Sequence, residues 1–293
     1  MKYKIIENWF FHKGFRQGEF WAVLIVFFSA LCDVLMRYLG EHIHCIEIVF
    51  FRFFFSFLML LPFVSYQGIQ ILRTTQLGLH LSRAMLGAAA FYIDCYSVQI
   101  MALHEYTIFI STEPLFFLPL AVFILKEKMN RMQLQATIIG FIGMLFVQYT
   151  GSEIIKIAAL IPILGAVAFA FLDLFTKEMV DEESTFSFLF YFSFGTVVLT
   201  LIPTLYYWHT PTLVEWGLLI LLGVGANLIQ FCLIKSFAAT EASPLMPLRY
   251  LYFIFALIFG YAFFSEAPTV NTLIGAFFIL LGAFFVSIRY ETP

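Results

Sequence analysis

The sequence predicts an all-α membrane protein: ten transmembrane helices arranged as two inverted five-helix repeats. Three observations predict it. Hydrophobic residues make up 62% of the 293 positions and charged residues only 12%, whereas soluble chains are roughly 45–50% apolar. The apolar residues fall into stretches of about 20, the length a helix needs to cross a bilayer. Anchor residues also recur at nearly one offset along the chain, as a duplication requires.

Residues 1–18 form a basic, amphipathic leader carrying Lys2, Lys4, Lys13 and Arg16, suited to the cytoplasmic membrane surface. No small-residue cleavage site follows the next apolar run, which therefore reads as an uncleaved first span. The ten spans run over about 19–40, 45–67, 78–101, 104–125, 131–150, 154–178, 184–207, 212–238, 243–264 and 270–289. Short polar breaks separate them, among them GEHIH, KEKMNRM, TGSE, VDEES and SEAPT. No length remains for an extramembrane domain, so function sits inside the bundle.

With the N-terminus inside, the inner segments hold Lys2, Lys4, Lys13, Arg16, Arg73, Lys126, Lys128, Arg131, Lys177 and Arg289, and the outer segments hold Lys156. The positive-inside rule then places both termini in the cytoplasm. A shift of 140 residues lays Asp33 and Arg37 on Asp173 and Lys177, and a shift of 139 lays Glu127 on Glu266. The repeats are thus 19–150 and 151–293, each of five spans. An odd number of spans inverts the second copy, and inverted repeats put the substrate site near the midplane between halves.

Several function classes fall away. A net charge of −3 with 16 Lys+Arg leaves no basic excess for nucleic acid. The chain lacks the nucleotide-binding, zinc-protease and hydrolase-elbow motifs. Cys32, Cys45, Cys95 and Cys232 are scattered through apolar runs and read as buried small hydrophobes rather than metal ligands. No metal, no cofactor and no enzymatic activity are expected. A channel would show a ring of like charges, whereas the charges here divide between the halves.

Ionisable residues within a span are expensive, so each is a functional candidate. Asp33 and Arg37, four residues apart on one helical face, suit an intrahelical ion pair, and Asp173 with Lys177 repeats the device. They read either as outer and inner gates, swapping intrahelical for interhelical or substrate partners as access alternates, or as structural ion pairs near the helix ends. Arg52 sits within FFRFFFS and Arg249 precedes Tyr250 at the start of span nine; a guanidinium holds a carboxylate through two parallel bonds. Lys235 lies toward the inner end of span eight, where it either meets substrate or snorkels. Arg83 reads as a snorkelling interface anchor.

Glu47, Asp94 and Glu113 are embedded as well, with Asp94 among Tyr92 and Tyr96. Tyr92, Tyr96, Tyr191 and Tyr250 suit a cavity wall, because a buried phenol needs a partner. Pro114 and Pro119 in span four and Pro244 and Pro247 in span nine loosen those helices. Trp21, Trp208 and Trp216 read as interface anchors. LGAAA and LGVGA bring helices close.

Ten spans, an inverted duplication and Glu127 and Glu266 after spans four and nine resemble the EamA-type drug/metabolite transporters. The sequence is most similar within them to the S-adenosylmethionine uptake transporters of intracellular bacteria. The similarity lies at DVLMRYLG (33–40), HCIEIVFFRFFFS (44–56), LLPFV (60–64), FLDLFTK (171–177), LIKSF (233–237) and PLRYL (247–251).

The resemblance implies uptake of S-adenosylmethionine across the bacterial inner membrane in exchange for S-adenosylhomocysteine. Membrane lipid is the one other partner, and no nucleic acid is involved. Arg52 or Arg249 would hold the ligand's carboxylate, and Asp33, Asp94 or Asp173 would face its amine and sulfonium. Tyr96, Lys235 and Tyr250 complete the expected binding set. The nearest competing reading is an EamA-type exporter of amino acids or other small metabolites.

Overall fold

The computed structural model describes residues 17–127 and 160–266, with isolated positions at 134, 135, 137–139, 141, 142, 270, 274, 277 and 278. Residues 1–16 of the basic leader lie outside the described residues, as do the expected spans 131–150 and 270–289 apart from those positions. Among the described residues all regular structure is helical.

The helices are α1 (Gln17–Leu39), α2 (Cys45–Gln67), α3 (Leu77–Ile100), α4 (Leu103–Ile110), α5 (Glu113–Phe123), α6 (Leu160–Met179), α7 (Thr185–Tyr206), α8 (Leu213–Ala239) and α9 (Leu251–Phe264). Two 3₁₀ segments, Ile69–Leu72 and Ser243–Tyr250, join them. Among the described residues, seven stretches are long and apolar enough to cross a membrane. α3 has the length, at 24 residues, but His80, Arg83 and Asp94 dilute its apolar character.

Two of the proline-bearing spans are discontinuous, whereas Pro62, Pro162 and Pro203 lie in α2, α6 and α7 without breaking them. Expected span four divides at Ser111 and Thr112 into α4 and α5, and Pro114 opens the second piece. Expected span nine begins as the 3₁₀ stretch Ser243–Tyr250, with Pro244 and Pro247, and continues as α9. Proline lacks the amide hydrogen an α-helix needs, so backbone groups are freed where it falls. Glu127 caps the start of the 3₁₀ stretch, where the first amides have no partner within the helix: its carboxylate accepts from the amides of Ala242 and Ser243, each at 2.8 Å, and from the Ser243 hydroxyl at 2.5 Å.

The offset of 139 found in the sequence returns in the backbone. Lys126 and Ser265 are the two non-glycine residues with positive φ among the described residues, at 58° and 57°. The amide of the glutamate after each reaches back six residues, Glu127 to the Ala121 carbonyl at 3.2 Å and Glu266 to the Gly260 carbonyl at 3.1 Å. This is the left-handed helix stop, used here at a conformation that costs a side chain-bearing residue about 1–2 kcal/mol. Packing repeats too: α1 lies on α8 as α6 lies on α3, and α1 lies on α9 as α6 lies on α5.

Small residues set the close approaches. A Cβ on Gly223 of α8 would lie 3.1 Å from the Ser56 amide and 3.2 Å from the Arg52 carbonyl, so only glycine lets α8 touch the α2 backbone. Beside that contact, Ser56 bonds to Ser193 at 2.7 Å and donates to Asn227 at 2.8 Å, tying α2, α7 and α8 together. The four cysteines are free and buried. Arg83 is no interface anchor: it is fully buried and donates to Thr176 at 3.0 Å and Gln230 at 3.4 Å. Its guanidinium lies over Phe188 and Phe192, because α3 is wedged between α6 and α7 and turns this face inward.

Candidate functional site

A cavity of about 100 Å³ opens between the helices of both halves. Its walls follow from helical spacing, which stacks residues three and four apart on one face. α1 contributes Val26, Ser29 and Asp33; α3 contributes Phe91 and Asp94; α6 contributes Phe169, Leu172 and Asp173; α8 contributes Ile229, Gln230 and Leu233. Arg52 enters from α2. The two broken spans supply Tyr106, Ser111 and Glu113 on one side and Arg249 and Tyr252 on the other. Four carboxyl groups and two guanidinium groups thus share one cavity.

These groups are ordered into two sets. Tyr252 donates its phenol hydrogen to Asp33, and Tyr106 does the same to Asp94. Arg52 lies near enough to both aspartates to act on them electrostatically. In the second set, Arg249 donates to Asp173 and sits 3.7 Å from the Glu113 carboxylate.

The two arginines differ in how far they are satisfied. Arg249 is engaged by two acids. Arg52, 2% exposed, donates to the Met36 sulfur at 3.4 Å, lies 4.5 Å over the Phe91 ring, and its Nε has no hydrogen-bond partner. No described carboxylate lies within ion-pair distance of Arg52. A buried guanidinium left in this state is strongly disposed to bind an anion.

Of the residues expected to bind ligand, Arg52, Asp94 and Arg249 line the cavity, and Asp33 and Asp173, expected at gates, line it too. The other three lie elsewhere. Tyr96 is 38% exposed and stacks on Tyr92. Lys235 is exposed, with its ammonium 5.5 Å over the Phe231 ring. Tyr250 is buried against Ile108 and Phe253, off the cavity wall. Helix rotation explains all three, since each lies in a cavity-forming segment but on another face.

Neither expected pair is intrahelical in this structure. Asp33 takes Tyr252 in place of Arg37, and Arg37 pairs with Glu266 while lying 4.3 Å over Phe264. Asp173 takes Arg249, and Lys177 donates to the Phe237 and Thr240 carbonyls at 2.6 and 2.9 Å. In both cases a partner on another helix completes a buried acid better than the residue one turn away. Lys177 instead meets the negative end of α8.

Sequence reasoning passed over Tyr106, Tyr252 and Gln230 as site residues and left Glu113 out of the binding set. A signal was present in the two tyrosines, which stand in the proline-broken spans where irregular backbone borders a cavity.

A bundle of apolar helices around a cavity of paired charges defines a membrane carrier for a polar solute. Residues 16–149 and 156–288 each match the EamA-like transporter family, and the chain belongs to that family, one of transporters and not of enzymes. It is 36% identical over 274 residues to the S-adenosylmethionine uptake transporter of Rickettsia bellii, covering 94% of each chain. A pseudopaline exporter of Pseudomonas aeruginosa is 25% identical over 93% of this chain and 96% of its own. A solved crystal structure shares the fold, with a TM-score of 0.73 at 16% identity over 92% of this chain and 99% of that one.

Proposed function

We propose that this protein takes up S-adenosylmethionine across the bacterial inner membrane in exchange for S-adenosylhomocysteine. The two five-helix repeats, 19–150 and 151–293, are inverted about one cavity that opens to each side in turn, with both termini cytoplasmic. The observation that carries the reading is the unsatisfied Arg52 beside two phenol-bonded aspartates in a cavity built from both halves.

The ligand's chemistry matches that set. Its carboxylate pairs with Arg52 through parallel charge-assisted bonds. Its ammonium and sulfonium face Asp33 and Asp94. Its adenine lies against the rings of Phe91 and Phe169, which meet edge to face at 5.1 Å, and ring faces also attract the sulfonium. Arg37 with Glu266 closes the outer side, and Lys177 on the end of α8 closes the inner side.

A family exporter of other amino-acid-like metabolites is the second reading, favoured by the presence of the pseudopaline exporter among the relatives. Uptake of labelled S-adenosylmethionine into proteoliposomes decides between them. Accumulation competed by S-adenosylhomocysteine but not by common amino acids is expected. Its absence with correctly inserted protein would overturn the substrate assignment.

A further inference from the structure

The second charged set, around Arg249, is not used by the ligand contacts above. There one guanidinium faces two buried carboxyl groups: Arg249 donates to Asp173 and lies 3.7 Å from Glu113. One cation balances one carboxylate, so in a buried setting the second carboxyl group is held most easily with a proton. Glu113 is the better holder: its Oε1 is buried without a hydrogen-bond partner, while Asp173 already accepts from Arg249. The groups acting on Glu113 from neighbouring elements are Asp173 of α6, Arg249 and Tyr250 of the 3₁₀ stretch, Asp94 of α3 and Tyr106 of α4.

The exchanged ligands differ by one charge. S-adenosylmethionine carries ammonium, sulfonium and carboxylate, a net charge of about +1 near neutral pH, whereas S-adenosylhomocysteine lacks the sulfonium and is neutral. A cavity closed off in low dielectric holds a given net charge far more easily than a varying one. The geometry points to Glu113 as a proton-binding site that fills when the neutral ligand is carried and empties when the cationic ligand is carried. One S-adenosylmethionine cation then enters for one S-adenosylhomocysteine and one proton leaving, and the exchange moves no net charge. Methyl transfer to a neutral nucleophile yields that same pair: the cation and NuH give Nu–CH₃, S-adenosylhomocysteine and H⁺. The carrier thereby removes both by-products of the reaction its substrate feeds.

This rests on the proposed substrates, and the test separates the two. Proteoliposomes are loaded with S-adenosylmethionine or S-adenosylhomocysteine, given labelled S-adenosylmethionine outside, and clamped at 0 or 100 mV, negative inside, with potassium and valinomycin. Like-for-like exchange is expected in either case, and its absence would sink the substrate reading. In the unlike exchange, accumulation in wild-type protein is expected to be independent of voltage, with one proton leaving per substrate entering. If that accumulation instead rises about 50-fold at 100 mV, the value for one uncompensated charge, the proton site is refuted while the substrates stand. Glu113→Gln is expected to lower the proton-to-substrate ratio from one to zero. Proton release on ligand binding to detergent-purified wild type, read by calorimetry in buffers of different ionisation enthalpy, tests the same site without a variant. No release between pH 6 and 8 would refute it.

Discussion

Replacement of Arg52 by glutamine removes the cation that we assign to the ligand's carboxylate and leaves a side chain able to fill much of the space. Within the empty protein the loss is small, because Arg52 gives up one bond to the Met36 sulfur and its stacking on Phe91 and breaks no ion pair. Within the complex the loss is a charge-assisted contact, about 1.5–3 kcal/mol, or about 10- to 150-fold in affinity. Labelled ligand binding to the purified protein measures it, with S-adenosylmethionine compared against its decarboxylated analogue. Wild type is expected to prefer the carboxylate-bearing ligand by that factor, and Arg52→Gln to bind both alike. Equal weakening of both ligands by the substitution would refute the assignment, because the guanidinium would then be supporting the cavity rather than holding the carboxylate.

Tyr252→Phe removes the phenol donor from Asp33 and is expected to change apparent ligand affinity about fivefold, the worth of roughly 1 kcal/mol, readable from the concentration dependence of uptake. Lys235→Ala, on an exposed face outside the cavity, is expected to leave uptake within about twofold of wild type, since surface changes of this kind are worth about 0.5 kcal/mol or less; a tenfold loss would return Lys235 to the site. Gly223→Ala places a methyl group 2.6 Å from the Phe55 Cβ and against the α2 backbone. Overpacking of this kind costs about 1–3 kcal/mol, so a lower melting temperature in detergent is expected.

The spans were legible because lipid imposes a length and a polarity on every segment that crosses it: α2, α7 and α8 begin and end, and α1 and α6 end, within a few residues of where hydropathy places them. The breaks were legible only in part: among the described residues Pro114 and Pro244 mark spans that do not run as one helix, but Pro62, Pro162 and Pro203 lie in unbroken helices. Position along each helix was legible for the same reasons, but direction around the helix was not. Asp94 and Tyr96 stand two residues apart on α3, yet one lines the cavity and the other does not. Pairing was the least legible feature. Asp33 meets Tyr252 and Arg37 meets Glu266 across 219 and 229 residues, and a pattern rule reaching one helical turn had nothing with which to outweigh the pair Asp33–Arg37. The unsatisfied state of Arg52 is a property of its neighbours' rotamers and leaves no mark in the order of residues.

The 3₁₀ stretch Ser243–Tyr250 has a directional consequence. A 3₁₀ helix advances about 120° per residue and an α-helix about 100°, so over the six steps from Ser243 to Arg249 the two differ by about 120°. Rewound as α-helix, the same sequence would turn the Arg249 side chain by a third of a revolution, away from Asp173. Pro244 and Pro247, which touch no ligand in this account, therefore act as the compass of the cavity: by choosing the winding, they choose where its second positive charge points.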